Sequence, residues 1–249
     1  MTRKRPPAFA AAALLVPALA FSSGCDFLDQ LTQKTAVVDV FATSHGEPDE
    51  MGNLPNRNSG QLVFVNDMGW EVFVNDAIVT TEGVTLKSCD GEGFAVEFYW
   101  GAFAEEISSI PDFDVTGLGG VRADSGEYCD LKVEFGPSAE GMDIADANDT
   151  TVYLAGSAVK GDTHVDFVWK TDVAFDINVD ISKIKDNRPF NISDNEAVSK
   201  KLTVAKSYTA FFTGIDFDLE LSQADIDALI VDTLKTSTMA YVGTVAPKP

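Results

Sequence analysis

Residues 165–181 read VDFVWKTDVAFDINVDI, and their alternation decides the fold class. Val165, Phe167, Trp169, Val173, Phe175, Ile177, Val179 and Ile181 share one parity, whereas Asp166, Lys170, Asp172, Asp176, Asn178 and Asp180 share the other. A period of two sends successive side chains to opposite faces of a strand, so one face meets a core and the other meets water. Seventeen residues exceed an ordinary strand. The stretch therefore predicts one long bent strand or two strands joined between Lys170 and Asp172.

The same pattern recurs at 37–42, 61–66, 70–75, 84–88, 94–100, 128–135, 151–159 and 202–204, in short runs rich in β-branched and aromatic residues and separated by Gly, Asn and Asp. Half-buried strands are the habit of antiparallel sheets, and the expected fold is an antiparallel β-sandwich. Helical signals are confined to the C-terminal part. Ser222 and Asp225 form a capping-box pair, and Ile226, Leu229, Ile230, Thr233 and Leu234 follow with i, i+3, i+4 spacing. A shorter helix is expected around Tyr208, Phe211 and Phe212, ended by Gly214.

The N-terminus has a different character. Arg3, Lys4 and Arg5 precede an apolar stretch at 8–21, which is followed by Ser22, Ser23, Gly24 and then Cys25. The apolar run is too short to span a bilayer and reads as an export signal. Its arrangement resembles a bacterial lipoprotein signal, which implies cleavage after Gly24 and lipidation of Cys25. The expected organisation is a signal peptide over 1–24, a lipid-anchored tether over 25–34 and a single β-domain over 35–249. Loss of 1–24 leaves 15 basic against 39 acidic side chains, a formal charge of −24. That field opposes nucleic acid, so the expected partners are the membrane, through Cys25, and a protein or small ligand.

In the oxidising compartment outside the cytoplasm, Cys89 and Cys129 read as a disulfide, because they lack the CxxC spacing of a metal or redox centre. Cys129 shares parity with Leu131, Val133 and Phe135, which predicts a buried bridge. Cys89 has the wrong parity relative to Val84 and Leu86, so a bulge or strand end is required near Ser88.

Sequence patterns for enzymatic chemistry are sparse. The chain contains no GxSxG, Walker loop, HExxH or dinucleotide fingerprint, and the expectation is a protein that is not an enzyme. Metal binding is the other possibility read from the residues. His45 lies in a long polar loop over 43–59 with Glu47, Asp49 and Glu50 close by, whereas His164 begins a strand. Asp112, Asp114 and Thr116, followed by Gly117, match the first half of a calcium loop, but the twelfth position is Ala123 instead of the bidentate Glu.

Five stretches carry a family resemblance: VDVFATSHGEPDE (38–50), FVNDMGWEVFVNDAIVTTEGVTLKSC (64–89), GEYCDLKVEFGPS (126–138), VYLAGSA (152–158) and KKLTVAKSYTAFFTGIDF (200–217). They resemble a largely uncharacterised group of bacterial lipoproteins, itself distantly similar to the MbnP-like periplasmic copper-binding proteins. The first resemblance implies one exported β-domain. The more distant one implies copper held by histidines near an oxidisable tryptophan, and this chain offers only His45 and His164 with Trp70, Trp100 and Trp169. The expected function is a non-catalytic binding or structural module of the cell envelope, lipid-anchored and facing the periplasm or the cell surface. The alternative is a periplasmic protein that binds copper or calcium.

Overall fold

Alternating burial builds a β-sandwich in the computed structural model, which describes residues 36–48, 54–58, 61–137, 144–193 and 199–245. Cys25 and the proposed signal and tether lie outside the described residues. One sheet has the order β15 (Met239–Val242), β14 (Lys200–Ser207), β1 (Ala36–His45), β8 (Thr116–Ala123) and β6 (Glu97–Phe98). The other runs β11 (Thr163–Thr171), β10 (Val152–Lys160), β4 (Glu71–Ser88), β3 (Gln61–Val65) and β2 (Asn56–Asn58). In that second sheet β4 also pairs with β5 (Gly93–Ala95), β7 (Phe103–Glu106) and β9 (Gly126–Phe135), while β12 (Phe175–Asp180) and β13 (Phe190–Ile192) pair with β9. Val38, Val40, Leu202 and Val204 of the first sheet and Val72, Val74, Leu86 and Leu131 of the second belong to one buried core.

The opening stretch resolves into two strands. β11 ends at Thr171 and β12 begins at Phe175, with Thr171 Oγ1 accepting a hydrogen bond from Val173 N at 3.2 Å across the break. Phe167, Trp169, Ile177, Val179 and Ile181 are buried as their parity requires, and Val173 alone of the set is exposed, because it sits in the break. The two strands take different partners, β10 and β9, both of which flank β4. From Glu71 onward the run at 70–75 belongs, with that at 84–88, to β4, one strand of 18 residues whose register shifts let it serve both halves of the sheet. The run at 94–100 divides instead: β5 joins the second sheet and β6 the first. β1 and β14 pair in parallel, a departure from a wholly antiparallel sandwich; the other strand pairs described are antiparallel.

The disulfide forms between Cys89 and Cys129, but it is not buried as parity predicts. The ladder steps from Lys87↔Asp130 to Ser88↔Tyr128, passing over Cys129. This is the bulge required near Ser88. The extra residue leaves Cys129 only half-buried and turns Tyr128 into the core in its place, with Cys89 exposed. Tyr128 Oη donates to Asp124 O at 2.7 Å, and its ionisation is pushed up to about 12 by burial first, then by the charges of Asp124 and Glu92. Between pH 10 and about 12 the unfolded phenol loses its proton while the folded one keeps it, so stability falls as pH rises through that window. Tyr128→Phe is expected to flatten that decline in urea unfolding measured from pH 9 to 12. An unchanged pH slope would count against this assignment.

The C-terminal helix α1 spans Gln223–Ser237. Ser222 Oγ accepts from Asp225 N at 3.3 Å and the Asp225 carboxylate accepts from Ser222 N at 3.1 Å, a reciprocal cap that contributes about 1 kcal/mol. Its Ile226, Ile230 and Leu234 face inward, and the helix packs on β11, β12 and β14. The shorter expected helix is a single 3₁₀ turn over Thr209–Phe212 that buries Phe211 and Phe212. Phe212 completes an aromatic cluster in which Trp169 stacks on Phe217 at 5.6 Å and Trp70 meets Phe217 edge-on at 5.5 Å. Among the described residues no helix is long and apolar enough to cross a membrane.

Candidate functional site: a polar apex at the end of β1

Two segments that look unrelated in sequence meet at one end of the sandwich. β1 extends through Thr43 and Ser44 to His45, so three residues of the expected loop belong to a strand, as do Asn56–Asn58 in β2. The Asp112 segment crosses directly over this strand end. Phe113 N donates to Ser44 O at 3.1 Å, Thr43 Oγ1 donates to Asp114 O at 2.7 Å, and the His45 ring stacks on Phe113 at 5.0 Å, 8° from coplanar.

Asp112 is the hub. Arg57 Nε donates to its Oδ1 at 3.1 Å and the Nη2 of the same guanidinium makes a close ion pair with that oxygen. Gly46 N donates to Oδ2 at 3.2 Å, and Tyr208 Oη lies 3.1 and 3.0 Å from the two oxygens. Arg57 Nη1 is shared between the carbonyls of Ile107 and Ser108, both at 3.3 Å. The Tyr208 ring is buried, and burial, followed by the negative charge of Asp112, drives its ionisation far above the ordinary phenol range. At neutral pH it is therefore a hydrogen-bond donor. Gly46 is required where it stands, since a Cβ there would lie 2.3 Å from Pro55 Cγ and 2.7 Å from Tyr208 Oη.

Beneath this apex lies a buried ion pair that joins the sheets. Lys206 of β14 sits beside Ser44 in the parallel register, and its Nζ lies 2.5 Å from Oε2 of Glu105 on β7, with the two side chains 1% and 2% exposed. Ser44 Oγ donates to the other carboxylate oxygen at 2.7 Å. Neither Lys206 Nζ nor Glu105 Oε2 has a further hydrogen-bond partner among the described residues. The attraction is Coulombic, strengthened by the absence of water around it.

The metal expectations meet this geometry unevenly. The sharp turn of the calcium-like loop falls at Phe113, with φ at 65°, whereas Gly117 is extended and paired with Phe41 in β8. Thr116 starts that strand opposite Ala42, Asp114 contributes its carbonyl to Thr43, and both oxygens of Asp112 already accept from protein donors. The donor set of a calcium loop is thereby replaced by a guanidinium salt bridge. His45 Nδ1 is 3.1 Å from Gly46 O. His164 is exposed on β11 of the other sheet, 3.1 Å from Asp166 Oδ1. Among the described residues no group of three or more His, Cys, Asp and Glu side chains is placed to hold a metal ion. Trp70 and Trp169 are core residues of the aromatic cluster, and Trp100 is 89% exposed. No sequence motif singles out Arg57, Glu105 or Lys206, and Tyr208 is expected only as part of the short C-terminal helix. The one local signal is Lys206, a charge within the run TVAKSY whose neighbours alternate as a buried strand.

Next to the apex a cleft of about 590 Å³ opens, bordered by Glu47, Leu54, Phe64, Asn66, Asp67 and Thr209. Glu47 N donates to Thr209 Oγ1 at 2.9 Å, which ties the cleft wall to the end of β14. Asn66 braces the opposite wall, donating to Phe212 O and Ile215 O and accepting from Trp70 N.

No protein-family model matches the chain, and no curated protein does. Among solved structures, MbnP from Methylosinus trichosporium is similar at 9% identity and a TM-score of 0.41, over 76% of this chain and 81% of that one.

Proposed function

We propose that the protein is an exported lipoprotein of the bacterial cell envelope whose β-domain is a non-catalytic binding or structural module. The observation that carries the reading is the apex. Its charged groups, Asp112 with Arg57 and Glu105 with Lys206, are committed to one another and to backbone groups, and so hold the shape of the strand ends that border the 590 Å³ cleft. Such a scaffold presents a surface of constant shape, and the anchor would keep it at the membrane. An acyl chain contributes about 0.8 kcal/mol per buried methylene, so several chains suffice for durable attachment.

The test is fractionation combined with metal analysis. The wild-type protein is expected to sediment with membranes and to carry acyl groups on Cys25 by mass spectrometry, whereas Cys25→Ser is expected in the soluble fraction or as unprocessed precursor. An unmodified Cys25 in the wild-type protein would overturn the anchor. Exposure to copper or calcium followed by dialysis is expected to leave less than stoichiometric metal and an unchanged thermal midpoint. Stoichiometric retention would replace this reading with a metal-binding one.

A further inference from the structure

The chain is strongly acidic, with 18 basic against 39 acidic side chains, yet four of its cations line one cleft of about 680 Å³. Lys185 and Arg188 flank a two-residue turn. Arg188 N donates to Lys185 O at 2.9 Å, and Asp186 and Asn187 between them have φ of 53° and 55°, the conformation of a type I′ hairpin turn. That turn holds two like charges directly opposite each other, an arrangement that is unfavourable without a counter-charge. Lys200 and Lys201 approach from the start of β14. Lys200 Nζ donates to Asn191 O and lies 5.5 Å above the ring of Phe190, whose buried side chain forms an apolar wall. Lys201 Nζ lies 5.7 Å above the ring of Phe41.

Glu127 and Asp186 also line the cleft and are set against Lys185, Arg188 and Lys201; Asp39, opposite Lys201 in register, lines a separate cleft. Among the described residues, Lys185, Arg188 and Lys201 form no ion pair. The cleft therefore has a local excess of positive charge within a negative molecule, and a guanidinium fork beside it that suits a planar or tetrahedral oxyanion. We infer that this cleft binds a phosphate oxyanion, with Arg188 as the bidentate group and Lys185 and Lys201 as point charges.

Its position suggests where such a ligand would come from. Lys200 and Lys201 pair with Val38 and Asp39, near Ala36, at the end of the sandwich where the described chain begins. On the lipid-anchored reading, about ten residues of sequence separate this end from Cys25. A phospholipid headgroup is then one source of the phosphate and a soluble phosphorylated compound the other. Only this placement rests on the anchor; the anion site does not.

The experiment titrates inorganic phosphate into the full chain in neutral detergent at constant ionic strength, with chloride as the reference, and follows binding by calorimetry and by the amide resonances of 185–191 and 200–201. Saturable binding is expected, weakened at least about tenfold by Arg188→Gln with Lys201→Gln. Both residues are exposed, and Lys201→Gln alone serves if the double variant misfolds. A second arm compares flotation of wild type and variant with phosphatidylcholine vesicles and with vesicles containing phosphatidylglycerol. Variant-sensitive binding to the anionic vesicles assigns the headgroup as the source, and binding to free phosphate without it assigns a soluble ligand. A phosphate response equal to that of chloride, or one the substitutions leave unchanged, overturns the inference. Because wild type and variant share the same Cys25, failure here is separate from failure of the anchor.

Discussion

Lys206→Met is expected to lower the unfolding free energy by about 3 to 5 kcal/mol, because it leaves the Glu105 carboxylate buried without its cation. The loss should exceed that of any exposed pair in the protein, such as Lys132 with Glu134, since solvent screens the latter. Adding Glu105→Gln should recover at least half of it: the amide carbonyl still accepts from Ser44 Oγ, and no buried charge remains. The two single variants and the double form a cycle read by urea unfolding at pH 7, with the slope of the transition as the check that the native state is unaltered. A Lys206→Met protein as stable as wild type would mean that the two charges do not depend on each other.

Cys89→Ser with Cys129→Ser should cost about 4 kcal/mol, the chain-entropy value for a closed loop of 40 residues. The bridge crosses between the end of β4 and β9, strands that also hydrogen-bond to each other beside it, with Cys89 N donating to Glu127 O at 2.9 Å. Its removal thus leaves the native pairing in place and acts mainly by freeing the unfolded chain. The outward turn of both cysteines makes a second outcome testable. Because Cys89 is exposed, mild reductant should open the bridge in the folded protein without denaturant, and the reduced protein should unfold at the same denaturant concentration as the double serine variant. A bridge that resists reduction until the protein unfolds, or a variant within 1 kcal/mol of wild type, would contradict this account.

How much was legible in the sequence depended on how far apart the interacting residues lie. The alternation from Val165 to Ile181 correctly assigned five core residues, and failed at Val173 because parity cannot register a break between strands with different partners. Ser222 and Asp225 were readable because a capping box spans three residues. Cys129 was read to the wrong face by the same logic that placed Leu131 and Val133 correctly, since a bulge resets parity without changing composition. The runs at 70–75 and 84–88 predict separate strands, although one strand joins them, because nothing local states that a strand will be supported by two sets of neighbours. At the apex, His45 and Asp112 each suggest a different metal site in sequence, whereas the structure brings their segments together around Arg57 and Tyr208.

By itself the sequence determined the sandwich class, the faces of most strands, the capped C-terminal helix and the cysteine pairing. These follow from residue types and from periods of two or about four residues, which act between near neighbours. The tertiary structure alone decided that β1 and β14 run in parallel, that Ser44 reaches Glu105 across 61 residues, and that Tyr208 reaches Asp112 across 96. Those contacts depend on which strand lies beside which. That choice is made by packing the two sheets over a common core, and local propensity carries no record of it.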